Sequence, residues 1–353
     1  MIEFIRLENF KGHRDSTISL GRFTVLVGPN GAGKTSVLDA LEIQSQIIHL
    51  TPDIAFTGNR SFGDMLRRGA QSAMVLTSGG VLKGKAFSFR SEIAAPLTTG
   101  FEWTLGGDTR AHNIRQSDLS PFLGPATLYK LNAERIAAAA YSDEPGAKVA
   151  QDGTNTAVAL AAIKLGYDEE FARIEESLRR IIPTMKRVRI RQAVVERPNP
   201  TKPGTPENVV GSKVFFDFNG APDVPAHAAS EGTLITLALL TVLHGPNRPN
   251  LLLLDDFAES LHPQAQMELV RLLKLLLDEL PDLQIVATTR SPYVLDELDP
   301  SEIVAFALRE DGTVAQKRLS EHPQAEKMKG ALSAGQLWSL DPERDWVLSE
   351  EAT

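Results

Sequence analysis

Eight consecutive residues, Gly28-Pro29-Asn30-Gly31-Ala32-Gly33-Lys34-Thr35, have the types and spacing to hold a polyphosphate. Glycines let backbone N–H groups turn inward around an anion. Lys34 is long enough to reach the β- and γ-phosphates of a nucleotide, and Thr35 offers a hydroxyl to Mg²⁺. Asn30, Gly31, Ala32, Gly33 and Ser36 complete the candidate phosphate-binding set. The competing reading is a chance glycine-rich turn. An apolar strand before the loop and a helix pattern after it argue against that, because a helix N-terminus adds positive potential beside the loop.

A second set is acidic. Leu251-Leu252-Leu253-Leu254-Asp255-Asp256 is four apolar residues ending in two carboxylates. A buried strand delivers such groups to the edge of a parallel sheet, where ligands bind. There Asp255 would hold Mg²⁺ through water and Asp256 would orient the attacking water. Taken alone, the same pattern is a solvated strand end. Ser260-Leu261-His262-Pro263 follows, and Thr288-Thr289-Arg290-Ser291-Pro292 closes another apolar strand. Polar side chains at 288–291 are placed to face a γ-phosphate; for Ser291, an N-cap ahead of Pro292 is a fair alternative.

These residues need a sheet to carry them. Residues 2–10, 16–20 and 23–27 read as strands, and 34–50 as a helix with Val37, Leu38, Leu41, Ile47 and Ile48 at helical spacing. Residues 51–125 alternate in short segments between glycine-rich turns, which predicts an antiparallel β region. Residues 126–183 turn helical, through the helix-forming run Ala137–Ala140, then Thr156–Leu165 and Glu169–Ile182. Strands at 185–196 and 211–218 flank a proline-rich loop. The remainder alternates: helix 232–244, strand 251–255, helix 263–279, strand 283–287, helix 292–298, strand 303–308. That order predicts an α/β fold with a mostly parallel core sheet. A short tail beyond residue 319 carries an amphipathic stretch with Trp338 and Trp346.

Composition bounds the function. With 353 residues, 42% hydrophobic and 23% charged, the chain is an ordinary globular one that can bury a substantial core. The absence of cysteine excludes disulfide frameworks, thiolate catalysis and Cys-based zinc sites. The strand-like opening and the lack of an apolar run long enough for a bilayer predict a cytoplasmic protein with no membrane anchor. The net charge of −8, from 37 basic and 45 acidic residues, gives no bulk attraction to nucleic acid.

Together these segments resemble the ABC-type ATPase heads of the SMC and RecF kind and their OLD-like relatives. The resemblance is carried by Leu7-Glu8-Asn9-Phe10-Lys11-Gly12-His13, by Phe23 to Gly31, by Ser230-Glu231-Gly232-Thr233, and by the acidic and 288–292 segments. It is specific in residues 5–41 and 229–298 and loose between them. It implies a single P-loop NTPase domain: a β and P-loop lobe (1–125), a helical lobe with a β-hairpin insertion (126–228), the second half of the core (229–319) and a tail (320–353). It also implies ATP and Mg²⁺ as cofactors, and a homodimer or larger homo-oligomer built by an ATP sandwich. Each ATP would lie between one head's P-loop and the other's signature, where Ser230 and the Gly232 N–H would touch the γ-phosphate. Hydrolysis would separate the heads, a ligand-biased switch. For Ser230 the plain alternative is an N-cap with Thr233 behind it.

Three departures from the family pattern stand out. Asp256 occupies the place of a glutamate and is one methylene shorter, which predicts slow turnover. Arg290 occupies the place of a histidine and would either stabilise transition-state charge or bind phosphate. The signature lacks its second glycine and its glutamine, and no Q-loop is placed; Gln71 is a weaker candidate for it, with a surface residue as the favoured alternative. Lys11 falls where relatives put a basic residue on the phosphates, with a solvated turn lysine as the even alternative. Arg135 is a weaker candidate.

Neither long coiled-coil arms nor a fused nuclease pattern is present, so a compact head acting with a separate effector protein is expected, in DNA repair or phage defence. Arg187, Arg189 and Arg191 share one strand face at period two. This stripe would follow a nucleic-acid backbone, or it is a solvated strand face. The alternative function is a regulatory ATPase scaffold that sequesters and releases a partner without touching DNA. A transporter subunit is disfavoured by the opening segment and the degenerate signature.

Overall fold

The computed structural model describes residues 1–349 apart from 50–54, 57–59, 96, 111–118, 120–122, 125, 145, 200–203 and 260. The chain forms two compact units. The first gathers Met1–Leu128, Asn250–Phe257 and Lys274–Thr353; the second is Tyr129–Pro249 with Ala258–Leu273.

In chain order the strands are β1 (Ile2–Phe10), β2 (His13–Ser19), β3 (Phe23–Val27), β4 (Met74–Leu82), β5 (Lys85–Ala94), β6 (Thr98–Leu105), β7 (Asp108–Arg110), β8 (Thr127–Tyr129), β9 (Met185–Pro198), β10 (Pro206–Phe218), β11 (Ala221–Pro225), β12 (Leu251–Leu254), β13 (Gln284–Thr288), β14 (Ile303–Leu308) and β15 (Val314–Arg318). The first unit holds two sheets. One has the order β15-β14-β3-β13-β12-β8 and the other β2-β1-β4-β5-β6-β7. In the first, β14, β3, β13 and β12 run parallel and β15 is antiparallel. In the second, every pairing is antiparallel.

All residues of β3, β12 and β13 are buried, as expected of parallel strands covered on both faces. The helix Lys34–His49 packs on β1 from one sheet and on β12 and β13 from the other. Its burial is therefore nearly all round, and its polar residues are met by protein groups. Gln44 donates to the carbonyls of Leu76 (3.1 Å) and Phe89 (3.0 Å). Gln284 ties the sheets together from β13: its amide donates to Ile2 O at 2.7 Å and Gly21 O at 2.8 Å.

The second unit contains helices Thr156–Gly166, Asp168–Ile181 and Glu231–His244 beside a sheet of order β11-β10-β9. Asp168–Ile181 begins with three acids and ends with Arg179 and Arg180, which matches the helix dipole at both ends. The helix expected through Ala137–Ala140 is shorter than predicted. It spans Ala133–Ala137, and Ala138 is extended. Ala140 instead exchanges backbone hydrogen bonds with Ser212 at 3.0 and 2.7 Å, so strand pairing overrides alanine's helix propensity. Among the described residues, no helix is long and apolar enough to cross a membrane.

Candidate nucleotide-binding site

The phosphate loop is shaped by what presses on its glycines. Gly28 leaves β3 at φ 133°, and a Cβ there would stand 2.5 Å from the Phe306 carbonyl oxygen of β14. Only glycine combines that backbone with that approach. Gly33, at φ 93°, lies against His13 and Val314, whereas Gly31, at φ 78°, faces open space. Asn30, Gly31 and Thr35 are exposed, while Ala32, Lys34 and Ser36 are buried.

Lys34 folds back over the loop. Its Nζ donates to Gly28 O at 2.8 Å and Pro29 O at 2.9 Å. Burial pushes the ammonium below the ordinary lysine range; the charge of Asp256 opposes this, Arg290 adds to it, and Asp255 and Glu343 oppose it. An incoming anion would favour the charged lysine and oppose that shift.

The acidic end of β12 meets the start of the P-loop helix. Thr35 Oγ1 donates to Asp255 Oδ1 at 2.9 Å, and Thr288 Oγ1 donates to the same oxygen at 2.8 Å. Thr288 also accepts the Asp256 N–H at 2.7 Å. That bond holds Asp256 in a left-handed turn, φ 49°, which aspartate tolerates better than most residues. Arg290 Nε lies 3.8 Å from Asp256 Oδ1. Sequence reasoning placed Thr288 in a polar segment but missed its role as the link between both aspartates. The available signal was its position, at the end of an apolar strand that neighbours β12.

The remaining candidates lie as follows. Lys11, at φ 48°, donates to Asp39 Oδ2 at 2.6 Å, so it is partnered rather than solvated. Arg60 also reaches Asp39 and Glu42. Gln71 is exposed in a loop. Ser230 and Gly232 belong to the second unit. There Ser230 caps the helix Glu231–His244, accepting from Thr233 N at 3.3 Å, and Gly232 packs on Leu261. Ser260 lies outside the described residues. Arg135 is exposed, 3.9 Å from Asp152.

The arginine stripe is paired with carboxylates of its own sheet. Arg187 Nε and Arg189 Nε donate to one oxygen of Asp217 at 2.7 and 2.8 Å. Arg191 pairs with Asp223 and stacks over Phe215, 4.7 Å from its ring centroid.

The cradle fits a magnesium-bound triphosphate on two grounds. The space in front of Gly31 is open, and the convergent donor set is backbone amides, an ammonium, a hydroxyl and a carboxylate. A P-loop at the end of β3, with carboxylates at the end of a parallel strand two places away in the same sheet, is the core arrangement of a P-loop NTPase, and the fold is that of an SMC head. The chain belongs to the family described as "AAA domain, putative AbiEii toxin, Type IV TA system", whose model matches residues 23–296.

Stretches of two curated relatives are similar in sequence, and two solved structures are similar in fold. A stretch of 76 residues is 40% identical to the DNA double-strand break repair Rad50 ATPase of Methanopyrus kandleri, covering 21% of this chain and 8% of that protein. A stretch of 69 residues is 36% identical to the Septu protein PtuA of Bacillus thuringiensis, covering 20% of this chain and 17% of that one. The matches thus span under a fifth of either relative. The SMC head domain of Thermotoga maritima superposes with a TM-score of 0.53 at 14% identity, over 90% of this chain and 98% of that one. The Smc head domain of Pyrococcus furiosus, solved bound to the C-terminal domain of ScpA, gives 0.62 at 15% identity, over 94% and 98%.

Proposed function

We propose that this chain is an ATP-binding and ATP-hydrolysing switch whose heads pair around two nucleotides and act with a separate effector protein in DNA repair or phage defence. The observation that carries the catalytic part is the meeting of the Thr35 hydroxyl and the Asp255 carboxylate beside the phosphate loop. Thr35 and Asp255 would hold Mg²⁺; the loop amides of Asn30 to Lys34, with Ser36, would hold the phosphates. When bound, Mg²⁺–ATP supplies the terminal anhydride that is broken and a metal charge that steadies the departing oxygens. Lys34, whose ammonium lies on the Gly28 and Pro29 carbonyls, would supply positive charge to the phosphates. Asp256, fixed by its N–H bond to Thr288, would accept a proton from water at a carboxylate oxygen. Arg290, 3.8 Å from Asp256, would present positive charge to the reacting phosphoryl group. Ser230 and Gly232 would complete the site from a second copy, and Lys11 would add charge once its bond to Asp39 opens.

The biological side rests on kinship. Rad50's name carries double-strand break repair, and the family description names a toxin of a TA system. The scaffold reading, in which a partner protein is held and released without DNA contact, is favoured by the pairing of Arg187, Arg189 and Arg191 with carboxylates. Labelled ATP binding with Lys34→Ala as control tests the site. Sizing columns with Asp256→Asn and ATP test the pairing: the variant should elute as a dimer, and persistence of monomer at high concentration refutes the sandwich.

A further inference from the structure

We propose that His13 is a positioning residue of the phosphate loop: its imidazole anchors the Gly33 carbonyl and thereby aims the Lys34 N–H into the cradle. This rests on the nucleotide-site reading above and names the residue that sets that loop's geometry.

His13 starts β2, directly after the tight turn at Lys11-Gly12, and is fully buried. Its Nε2 lies 3.2 Å from Gly33 O. A carbonyl oxygen only accepts, so Nε2 must carry the proton and Nδ1 must be bare. Nδ1 is buried with no hydrogen-bond partner. The imidazole's polar contact is therefore with the loop.

The ring is held in place. It sits edge-on to Phe306, with centroids 6.5 Å apart and planes at 83°. Phe306 is the residue whose carbonyl closes on Gly28. His13 and Phe306 thus support the two ends of the same loop from below.

Gly33 O and the Lys34 N–H belong to one planar trans peptide, so they point in opposite directions. Holding the carbonyl toward His13 turns the N–H the other way. Glycine at 33 leaves that peptide free to rotate unless something fixes it. The Val37 N–H also reaches Gly33 O, at 3.3 Å, but this longer bond comes from the helix itself and does not tie the loop to the sheet. A mere space-filler at 13 needs no donor; a loop anchor does.

Two measurements test this. The first is titration of a fluorescent ATP analogue with Mg²⁺ against wild type, His13→Leu and His13→Gln, with Lys34→Ala as the control for the site. Leu fills space without a donor, and Gln restores one. Affinity should fall about 3- to 10-fold in the Leu variant, the worth of one hydrogen bond, and return to within about twofold in the Gln variant. Equal affinity of wild type and Leu overturns the proposal, as does a Gln variant as weak as Leu. The second is the histidine ring ¹⁵N spectrum of the wild-type protein, which stays decisive if the Leu variant does not fold. It should show His13 protonated at Nε2 and bare at Nδ1; the opposite tautomer overturns the proposal. A wild type that ignores the nucleotide would remove the site itself while leaving the tautomer result standing.

Discussion

Thr35 Oγ1 donates to Asp255 Oδ1 at 2.9 Å across 220 positions of sequence. The hydroxyl opens the P-loop helix and the carboxylate ends β12, so the sheet order alone brings them together. Thr288, ending the strand between β3 and β12, locks the pair. Its one hydroxyl donates to Asp255 and accepts from Asp256. Thr288→Val keeps the shape and removes the hydroxyl that accepts the Asp256 N–H and donates to Asp255. The expected cost is about 1–3 kcal/mol in urea unfolding, together with a larger fall in ATP turnover; Thr288→Ser should retain both. A Val variant as stable and active as wild type would remove the linking role.

The loop glycines divide into two kinds. Gly28→Ala meets both a positive φ and the Phe306 carbonyl, whereas Gly31→Ala meets a positive φ with nothing nearby. Gly31→Ala should cost about 1–2 kcal/mol of backbone strain. Gly28→Ala should cost clearly more and abolish nucleotide binding. Thermal unfolding and ATP titration of the two variants side by side check the order; equal effects would mean the Phe306 contact does not shape the loop.

Much of this was legible because the chemistry is local. The P-loop needs a fixed glycine pattern, a lysine and a hydroxyl in sequence, and four leucines before two acids mark a buried strand end. The bounds of Pro263–Glu279 and Ile303–Leu308 match the expected helix and strand. What was hidden depends on distant partners. Ala140 leaves the helix because Ser212 offers it a strand partner. The helix expected over 292–298 spans only Pro292–Leu295, with Asp296 as its C-cap and accepting the Gly335 N–H at 3.0 Å. The stripe Arg187, Arg189 and Arg191 looked open because Asp217 and Asp223 lie at least 28 residues downstream. Period-two spacing reports a shared face and not the charge opposite it.

Arg290 offers a test of catalysis separate from binding. Its guanidinium stands 3.8 Å from Asp256 and adds positive charge near Lys34. Charge stabilisation that matters only in the transition state lowers kcat when removed and leaves binding nearly intact. Arg290→Ala should therefore reduce turnover about 10- to 100-fold, a loss of roughly 1.4–2.7 kcal/mol, while ATP affinity changes less than threefold. Equal losses in both would make it a phosphate-binding residue.

His13 predicts an acid-sensitive step in stability. Burial, helped by the charge of Lys11 and opposed by the Gly33 carbonyl, lowers its pKa from 6.5 to about 4. As pH falls below 6.5 the unfolded chain takes up a proton that the folded chain refuses until about pH 4. Stability must then fall across that window and level off below it, by on the order of 3 kcal/mol. Urea titrations at pH 7 and pH 4.5 should show a smaller difference for His13→Leu than for wild type. An unchanged difference would assign the acid sensitivity elsewhere.

The paired arginines decide between the two readings of the partner. Asp217 is 7% exposed at its side chain and takes Arg187 and Arg189 on one oxygen. Arg187 first, then Arg189 and the Asp223 N–H, hold its carboxyl well below the usual range. It therefore stays ionised at neutral pH and cancels much of the stripe's charge. Each arginine that neutralises a phosphate steepens the dependence of log K on log salt by about 0.9. Wild type should thus bind duplex DNA with a shallow salt slope. Asp217→Asn removes the countercharge and should steepen that slope by up to about two in a salt-dependent gel shift. A steep slope already present in the wild type, and lost in Arg187→Ala and Arg189→Ala, would show that DNA draws the arginines off Asp217. That result would favour the DNA-associated reading over the scaffold.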